Sequence, residues 1–304
     1  TAGETLTGDL GGSATTGHSA GNLIWRPGGS HDAMVLYAFD TIERVARETG
    51  QETGWTWTGR LFLAHGADAI AGLETYQRQA ADRDIASRML TGAEAATMHP
   101  LLDGGAIAAA WFNPLAGRVN PADLVAAYAR AARNAGAAIR EQCGVTGIRT
   151  RGGRIVGVDT VEGPLEADIV VVAAGLWSRD LLLPADIALA QWACEHFYVI
   201  ADTKPRLPRN APTFVSPEDL FYGREEVGGM LVGFFDENAR TIRAKDLPEP
   251  FAFTLLGEDW DKIAPYFERA ARIFPALESA PIRHFVNGPE SFTPDDMPLV
   301  EKVR

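Results

Sequence analysis

The chain reads as an α/β protein in which a doubly wound, parallel-sheet part is interleaved with a mainly antiparallel α+β part. Three observations carry that reading. Helical periodicities alternate with short β-branched runs up to about residue 183. The run Ile169-Val-Val-Val-Ala-Ala-Gly175 is continuously apolar and ends in very small residues, the pattern of a strand buried on both faces. Beyond Pro184 the texture changes to short alternating strands, as in an antiparallel sheet.

Taken in order, Ser30 to Gly50 is predicted to be a helix: Ser30 is an N-cap, Val35, Phe39, Ile42 and Val45/Ala46 recur on one face, and Gly50 supplies a left-handed stop. Gly59-Arg-Leu-Phe-Leu63 follows as a strand and Ala67 to Arg83 as a second helix. Thr91-Gly-Ala-Glu94 has the capping-box pattern and opens a short helix ending before Pro100. Asn120 caps a helix whose first residue is Pro121, with Leu124, Tyr128 and Ala131 on one face and Gly136 after its end. Ala137 to Arg140, Val145 to Thr150 and Ile155 to Val161 read as strands, the last two joined through Arg151-Gly-Gly-Arg154 as a hairpin. In the second part Glu195 to Ile200, Leu220 to Tyr222 and Gly229 to Phe235 read as strands, followed by an acidic helix around Asp259 to Arg272.

Composition narrows the function classes. At roughly 100–200 residues per domain, 304 residues suit one large domain or two interleaved ones. Asp and Glu number 40 against 28 Lys and Arg, with no basic stripe, which argues against a nucleic-acid surface built on phosphate contacts. The longest nearly apolar run, Ile169 to Trp177, is far short of the roughly 20 residues of a membrane-spanning helix. The first residues, TAGETLTGDLGGSATTG, carry neither the basic start nor the apolar stretch of an export signal. Two cysteines, Cys143 and Cys194, are too few for a disulfide framework or a structural zinc site, so a cytoplasmic setting is expected. His31, His65, His99 and His284 show no metal-ligand spacing, and no metal is expected.

One glycine-rich stretch admits two readings. Gly12-Ser-Ala-Thr-Thr-Gly17-His18-Ser19 is one residue from the phosphate-loop pattern GxxxxGK[ST], but the lysine and the preceding strand are missing, so a triphosphatase is set aside. Thr15-Thr16-Gly17-His18-Ser19-Ala20-Gly21 instead resembles the T-T-x-H-A-A-G segment of the dimethylglycine dehydrogenase and sarcosine dehydrogenase family, within the D-amino-acid-oxidase-like flavoenzymes. Further matches follow in order: Gly117-Arg-Val-Asn-Pro121, Ala173-Ala-Gly-Leu-Trp-Ser178, Glu195-His196-Phe-Tyr198, Tyr222-Gly-Arg-Glu-Glu226, Gly228 to Asp236 and Glu258-Asp-Trp-Asp261. The most specific is Asn287-Gly-Pro-Glu-Ser-Phe-Thr-Pro-Asp-Asp296.

The resemblance implies an FAD-dependent oxidoreductase acting on a small secondary or tertiary amine, an N-methyl amino acid such as dimethylglycine or sarcosine. Hydride would pass to flavin N5 and the resulting iminium would hydrolyse. It implies FAD carried covalently by His18 and lined by Ala14, Thr15, Thr16, Gly17, Ser19, Ala20, Gly21 and Asn22. Val145 would meet the adenine end, with Gly175 and Trp177 where the buried strand reaches the cofactor, though Trp177 is equally consistent with core packing. His196 and Tyr222 are the catalytic candidates, each with ordinary core packing as the alternative. The implied partners are the amine or amino-acid substrate and an electron-acceptor protein.

The implied division gives residues 1–50 and 115–183 to the FAD-binding part, 51–114 and 184–290 to a substrate-binding cap, and 291–304 to a return toward the FAD-binding part. The doubly wound FAD-binding part is expected to be incomplete. No strand, G-x-G-x-x-G turn and helix precede His18, and the chain stops soon after Val300, where the family continues into a flavin-contacting strand and helix. A fragment of a larger enzyme is therefore expected. Gly17 and Ser19 stand where covalent members more often have Trp and Ala, which leaves open a noncovalent FAD enzyme acting on another amino acid or an opine. A catalytically silent module is the remaining alternative.

Overall fold

The computed structural model describes residues 4–6, 21–27, 32–248, 251, 254–294, 299–300 and 302–303. Ala14 to Ala20, His18 among them, lie outside the described residues, as do Ser30, Asp295 and Asp296.

The first half of the chain runs through β1 (Glu4–Leu6), β2 (Asn22–Ile24), α1 (Asp32–Thr49), β3 (Thr56–Trp57), β4 (Arg60–Ala64), α2 (Ala67–Ala81), β5 (Arg88–Thr91) and α3 (Gly92–Met98). It continues with β6 (Ala109–Asn113), β7 (Ala116–Arg118), α4 (Pro121–Asn134), β8 (Ala138–Arg140), β9 (Val145–Arg151), β10 (Arg154–Thr160), β11 (Gly163–Glu166) and α5 (Ser178–Leu182). The second half holds β12 (Trp192–Ala201), β13 (Thr213–Ser216), β14 (Phe221–Glu226), β15 (Gly229–Phe234), β16 (Thr241–Ile242), α6 (Trp260–Ile273) and β17 (Ile282–Phe292).

Local signals act where the sequence puts them. In α1 the buried residues Phe39, Ile42, Val45 and Thr49 form one stripe, and Gly50 ends the helix at φ +65° with its N–H donating to Ala46 O. Thr91 Oγ1 accepts from Glu94 N at 3.2 Å while Glu94 accepts from Thr91 N at 2.8 Å, a complete capping box. Asn120 Oδ1 accepts from Ala122 N and Asp123 N at the start of α4. The β9–β10 turn has Gly152 and Gly153 at φ +59° and +75°, the two positive values that a tight primed turn requires.

Most of the strands join one nine-stranded sheet, in the order β16-β12-β15-β14-β13-β4-β6-β5 with β17 also paired to β12. All its pairings are antiparallel except β4 with β13, which aligns Thr213 with Arg60. Side chains alternate between two cores. Leu61, Leu63, Phe197, Val199, Phe214, Phe221, Met230, Val232 and Phe234 pack on one face beneath Ile263, Tyr266 and Ile273 of α6. Phe62, Tyr198, Tyr222 and Leu231 point to the other face, with Trp25, Phe39 and Leu73. Three smaller sheets, β2-β7-β3, β11-β10-β9 and β1-β8, complete the layout. No helix among the described residues is long and apolar enough to cross a membrane.

Two expectations are corrected. Ile169 to Gly175 is not a strand: Ile169 and Val171 are 81% and 83% exposed, and the segment passes into a short 3-10 turn at Gly175–Trp177. Its β-branched residues favour extended backbone, but a strand also needs neighbours to take its N–H and C=O groups, and among the described residues none pairs with it. The parallel pairing of the first part is confined, among the described residues, to β1 with β8. In α4, Ala127 and Ala129 are the buried residues, Leu124 and Ala131 are half-buried, and Tyr128, 37% exposed, lies toward Tyr37 and Arg44 of α1.

Candidate active site

The face of the sheet away from α6 carries a cleft of about 480 Å³. His196 reaches it from β12 and Tyr222 from β14, with β15 between these strands. Gly233 of β15 stands opposite both Tyr198 and Tyr222. A Cβ at Gly233 would fall 2.2 Å from Tyr222 Cζ, so only glycine lets the phenol lie across the middle strand. The Tyr222 hydroxyl thereby meets His196 Nε2 at 2.8 Å, with the two rings stacked at 5.7 Å and 6°.

The opposite ring nitrogen, His196 Nδ1, lies 3.5 Å from Glu290 Oε2 on β17. A carboxylate beside Nδ1 favours a proton on that nitrogen, leaving Nε2 to accept from the Tyr222 hydroxyl. Burial lowers the histidine's pKa against the opposing pull of Glu290. Burial, reinforced by the Glu290 charge, raises that of Tyr222. Both groups are thus neutral at neutral pH. Phe235 and Phe292 flank His196 at 6.1 and 6.3 Å between ring centroids and complete an aromatic surround.

The other wall comes from the first part of the chain. Gly21 and Asn22 line the cleft, as does Gly175. Gly21 sits at φ +64°, its carbonyl accepting from Val119 N at 2.9 Å, and a Cβ there would be 2.5 Å from Val119 O. The Asn22 amide is buried with neither its Nδ2 nor its Oδ1 partnered among the described residues. Gly175 is at φ +53° and its carbonyl accepts from Gln191 Nε2, which also reaches Ser291 Oγ.

Of the residues expected from the sequence, the structure brings Gly21, Asn22, Gly175, His196 and Tyr222 to one cleft. Val145 opens β9, and Trp177 packs on a small cluster of Leu176, Ala193, Ile242 and Leu247; neither lines it. Asn287, which opens the Asn287–Asp296 motif, is buried in β17 and donates to Glu195 Oε1 and Gly257 O. Arg60, Tyr198, Phe235, Glu290 and Phe292 also line the cleft, and none of them is a site candidate on sequence grounds. For Arg60 the available signal was a cation inside the apolar strand Gly59-Arg-Leu-Phe-Leu63, on the same strand face as Phe62.

Residues 7–304 match the family model described as FAD dependent oxidoreductase. The chain is 30% identical over 286 residues to 4-methylaminobutanoate oxidase (formaldehyde-forming) of Paenarthrobacter nicotinovorans, covering 93% of this chain and 34% of that one. It is 31% identical over 296 residues to the mitochondrial sarcosine dehydrogenase of Homo sapiens, covering 95% and 32%. It is also 32% identical over 267 residues to the mitochondrial pyruvate dehydrogenase phosphatase regulatory subunit of Mus musculus, covering 86% and 30%. The chain thus spans about a third of the length of these curated relatives. Among solved structures, glycine oxidase from Geobacillus kaustophilus superposes with a TM-score of 0.76 at 24% identity, covering 96% of this chain and 77% of that one. L-proline dehydrogenase from P. horikoshii does so at 0.80 and 21%, covering 97% and 75%. The ordered motifs, the fold and the match over residues 7–304 place this chain in the FAD-dependent oxidoreductase family.

Proposed function

We propose that this chain forms the flavin-facing core of an enzyme that oxidises the N-methyl group of a small secondary or tertiary amino acid, a substrate of the sarcosine or dimethylglycine kind. The observation that carries the reading is the neutral His196–Tyr222 pair on the wall of a cleft that is also lined by the Asn22 amide, unpartnered among the described residues. That amide fits FAD, because a free donor beside a free acceptor complements the alternating polar edge of the flavin ring. Gly21, Asn22 and Gly175 would hold the ring, and Ala14 to Ala20 would continue the contact with His18 as the covalent link. Residues 1–50 and 115–183 would form this FAD-binding part, and 51–114 and 184–290 the cap. Bound FAD supplies a two-electron acceptor for the hydride equivalent.

The residues of this chain govern the proton. An amine surrenders hydride from carbon only when its nitrogen lone pair is free, so the substrate ammonium must first lose a proton. Tyr222 Oη can receive that proton while its own passes to His196 Nε2, and Glu290 then faces the imidazolium across Nδ1. Phe235 and Phe292 line the cleft beside His196 and offer ring faces to the entering cation. Water then adds to the substrate iminium, releasing formaldehyde and the demethylated amine.

The test is anaerobic reduction of the flavin in the full-length holoenzyme by sarcosine, dimethylglycine and 4-methylaminobutanoate. At least one is expected to bleach it, with His196→Gln and Tyr222→Phe slowing the bleaching by about 10²–10⁴-fold. Reduction by none of a broader amine panel would sink the reading. A catalytically silent module is the second reading, favoured by the likeness to a relative named as a phosphatase regulatory subunit, and that result would support it. Acid precipitation of the same protein tests His18: a yellow pellet is expected, and flavin wholly in the supernatant would refute a covalent link.

A further inference from the structure

Four aromatic side chains of the cleft form a trough, and strand order explains its shape. In the sheet β12 lies between β15 and β17. The imidazole of His196 on β12, stacked on the Tyr222 ring, is the floor. Phe235, the residue after β15, stands on one side, with its ring centroid 6.1 Å from that of His196 and 5.2 Å from that of Tyr222. Phe292, at the end of β17, stands on the other side, 6.3 Å from His196. The flanking rings are tilted by 42° to 55° to the floor rings instead of stacking on them, and all four side chains line the cleft.

Of these four side chains, only Tyr222 has a lone pair to offer an incoming N–H. Phenylalanine has none, His196 Nε2 already accepts from the Tyr222 hydroxyl, and Nδ1 faces Glu290. A tertiary ammonium carries a single N–H, which Tyr222 Oη can accept. A secondary ammonium carries two and a primary one three, and each N–H beyond the first exchanges water for a ring face, a much weaker acceptor. N-methyl groups share the cationic charge and are weakly hydrated, so ring faces attract them. Phe235 stands beside both floor rings and therefore beside the Tyr222 acceptor. We propose that the trough selects tertiary amines over secondary and primary ones, with Phe235 as the residue that sets the preference. The fate of the bound amine rests on the amine-oxidation reading above. Recognition of an alkylated cation rests on the four rings.

The test is a binding titration of the full-length holoenzyme with trimethylammonioacetate and with 3,3-dimethylbutanoate, followed by the change in flavin absorbance. The probes share shape and carboxylate and differ in a quaternary nitrogen against a quaternary carbon. Neither has a nitrogen lone pair, so neither reduces the flavin. The ammonium probe is expected to bind more tightly by about tenfold. Phe235→Leu should bring the two close to equality, and Phe235→Trp should keep the preference. Equal binding of the two probes to the unaltered enzyme overturns the proposal without any variant. So does a Phe235→Leu protein that keeps the full preference, which would assign it to the Glu290 charge. In anaerobic flavin reduction, dimethylglycine should half-saturate the rate at a concentration about tenfold below that of sarcosine, and an equal or inverted order overturns the selection of tertiary amines. Failure of every amine to reduce the flavin would remove the oxidation reading, while the titration needs no turnover and still decides whether the trough recognises an alkylated cation.

Discussion

At the scale of single residues, burial decides which titratable groups carry chemistry and which only cost stability. His196 is 13% exposed, hydrogen-bonds Tyr222 through Nε2 and has the Glu290 carboxylate 3.5 Å from Nδ1. His99 is buried with 0% exposure, and no described residue offers either ring nitrogen a hydrogen bond. It sits edge-on to Phe214 and Phe274 at 5.3 and 5.2 Å. Desolvation lowers its pKa to about 4 from 6.5. Between those values the unfolded chain binds a proton that the folded chain refuses, so stability rises with pH across this window. As pH falls from about 6.5 to about 4, His99 should withdraw about 3 kcal/mol of stability. Urea unfolding of the chain and of His99→Leu, followed against pH, checks this: the variant should lose that part of the acid sensitivity.

At the scale of elements, the short α3 depends on its first turn. Seven residues are too few for a helix to persist on propensity. Its capping box satisfies donors at both Thr91 and Glu94, and α3 buries Ala95 in the core beneath α6. Thr91→Ala should lower stability by about 1 kcal/mol, read as a fall in the urea midpoint at unchanged slope. Thr91→Ser should restore most of it. The elements that hold the cleft are of another kind, since β12 meets the β14–β15 hairpin, and β17 in turn meets β12, through cross-strand neighbours distant in sequence. The Tyr222–His196 bond exists because Gly233 intervenes without a side chain.

At the scale of the whole molecule, the two walls of the cleft must be held together. Arg118 on β7, whose sheet carries Asn22, pairs with Glu225 on β14 at 2.7 Å, with the two side chains 12% and 2% exposed. Arg118 also donates to Arg209 O, and Glu225 accepts from Gly228 N. Removing one partner leaves a buried charge unmatched, so Glu225→Ala should cost about 3–5 kcal/mol, whereas apolar replacement of both should cost less. Thermal unfolding of the single and double variants measures the difference.

Much of this plan was legible in the chain because it is local. The caps at Thr91 and Asn120, the Gly152-Gly153 turn and the stop at Gly50 each follow from a few adjacent residues whose backbone demands have one solution. His196 and Tyr222 were legible through motifs in matching order, and so was membership of the family. Ile169 to Gly175 is not legible in this way, because its composition fixes only a preference for extended backbone, while a strand exists only where another strand meets it. The tertiary structure alone decided that His196 and Tyr222 share a hydrogen bond, that Glu290 faces the far side of the imidazole, and that Arg60 lines the same cleft. Those facts depend on strand order and register, which bring together side chains up to 230 positions apart, from Arg60 to Glu290, and no local pattern encodes that meeting.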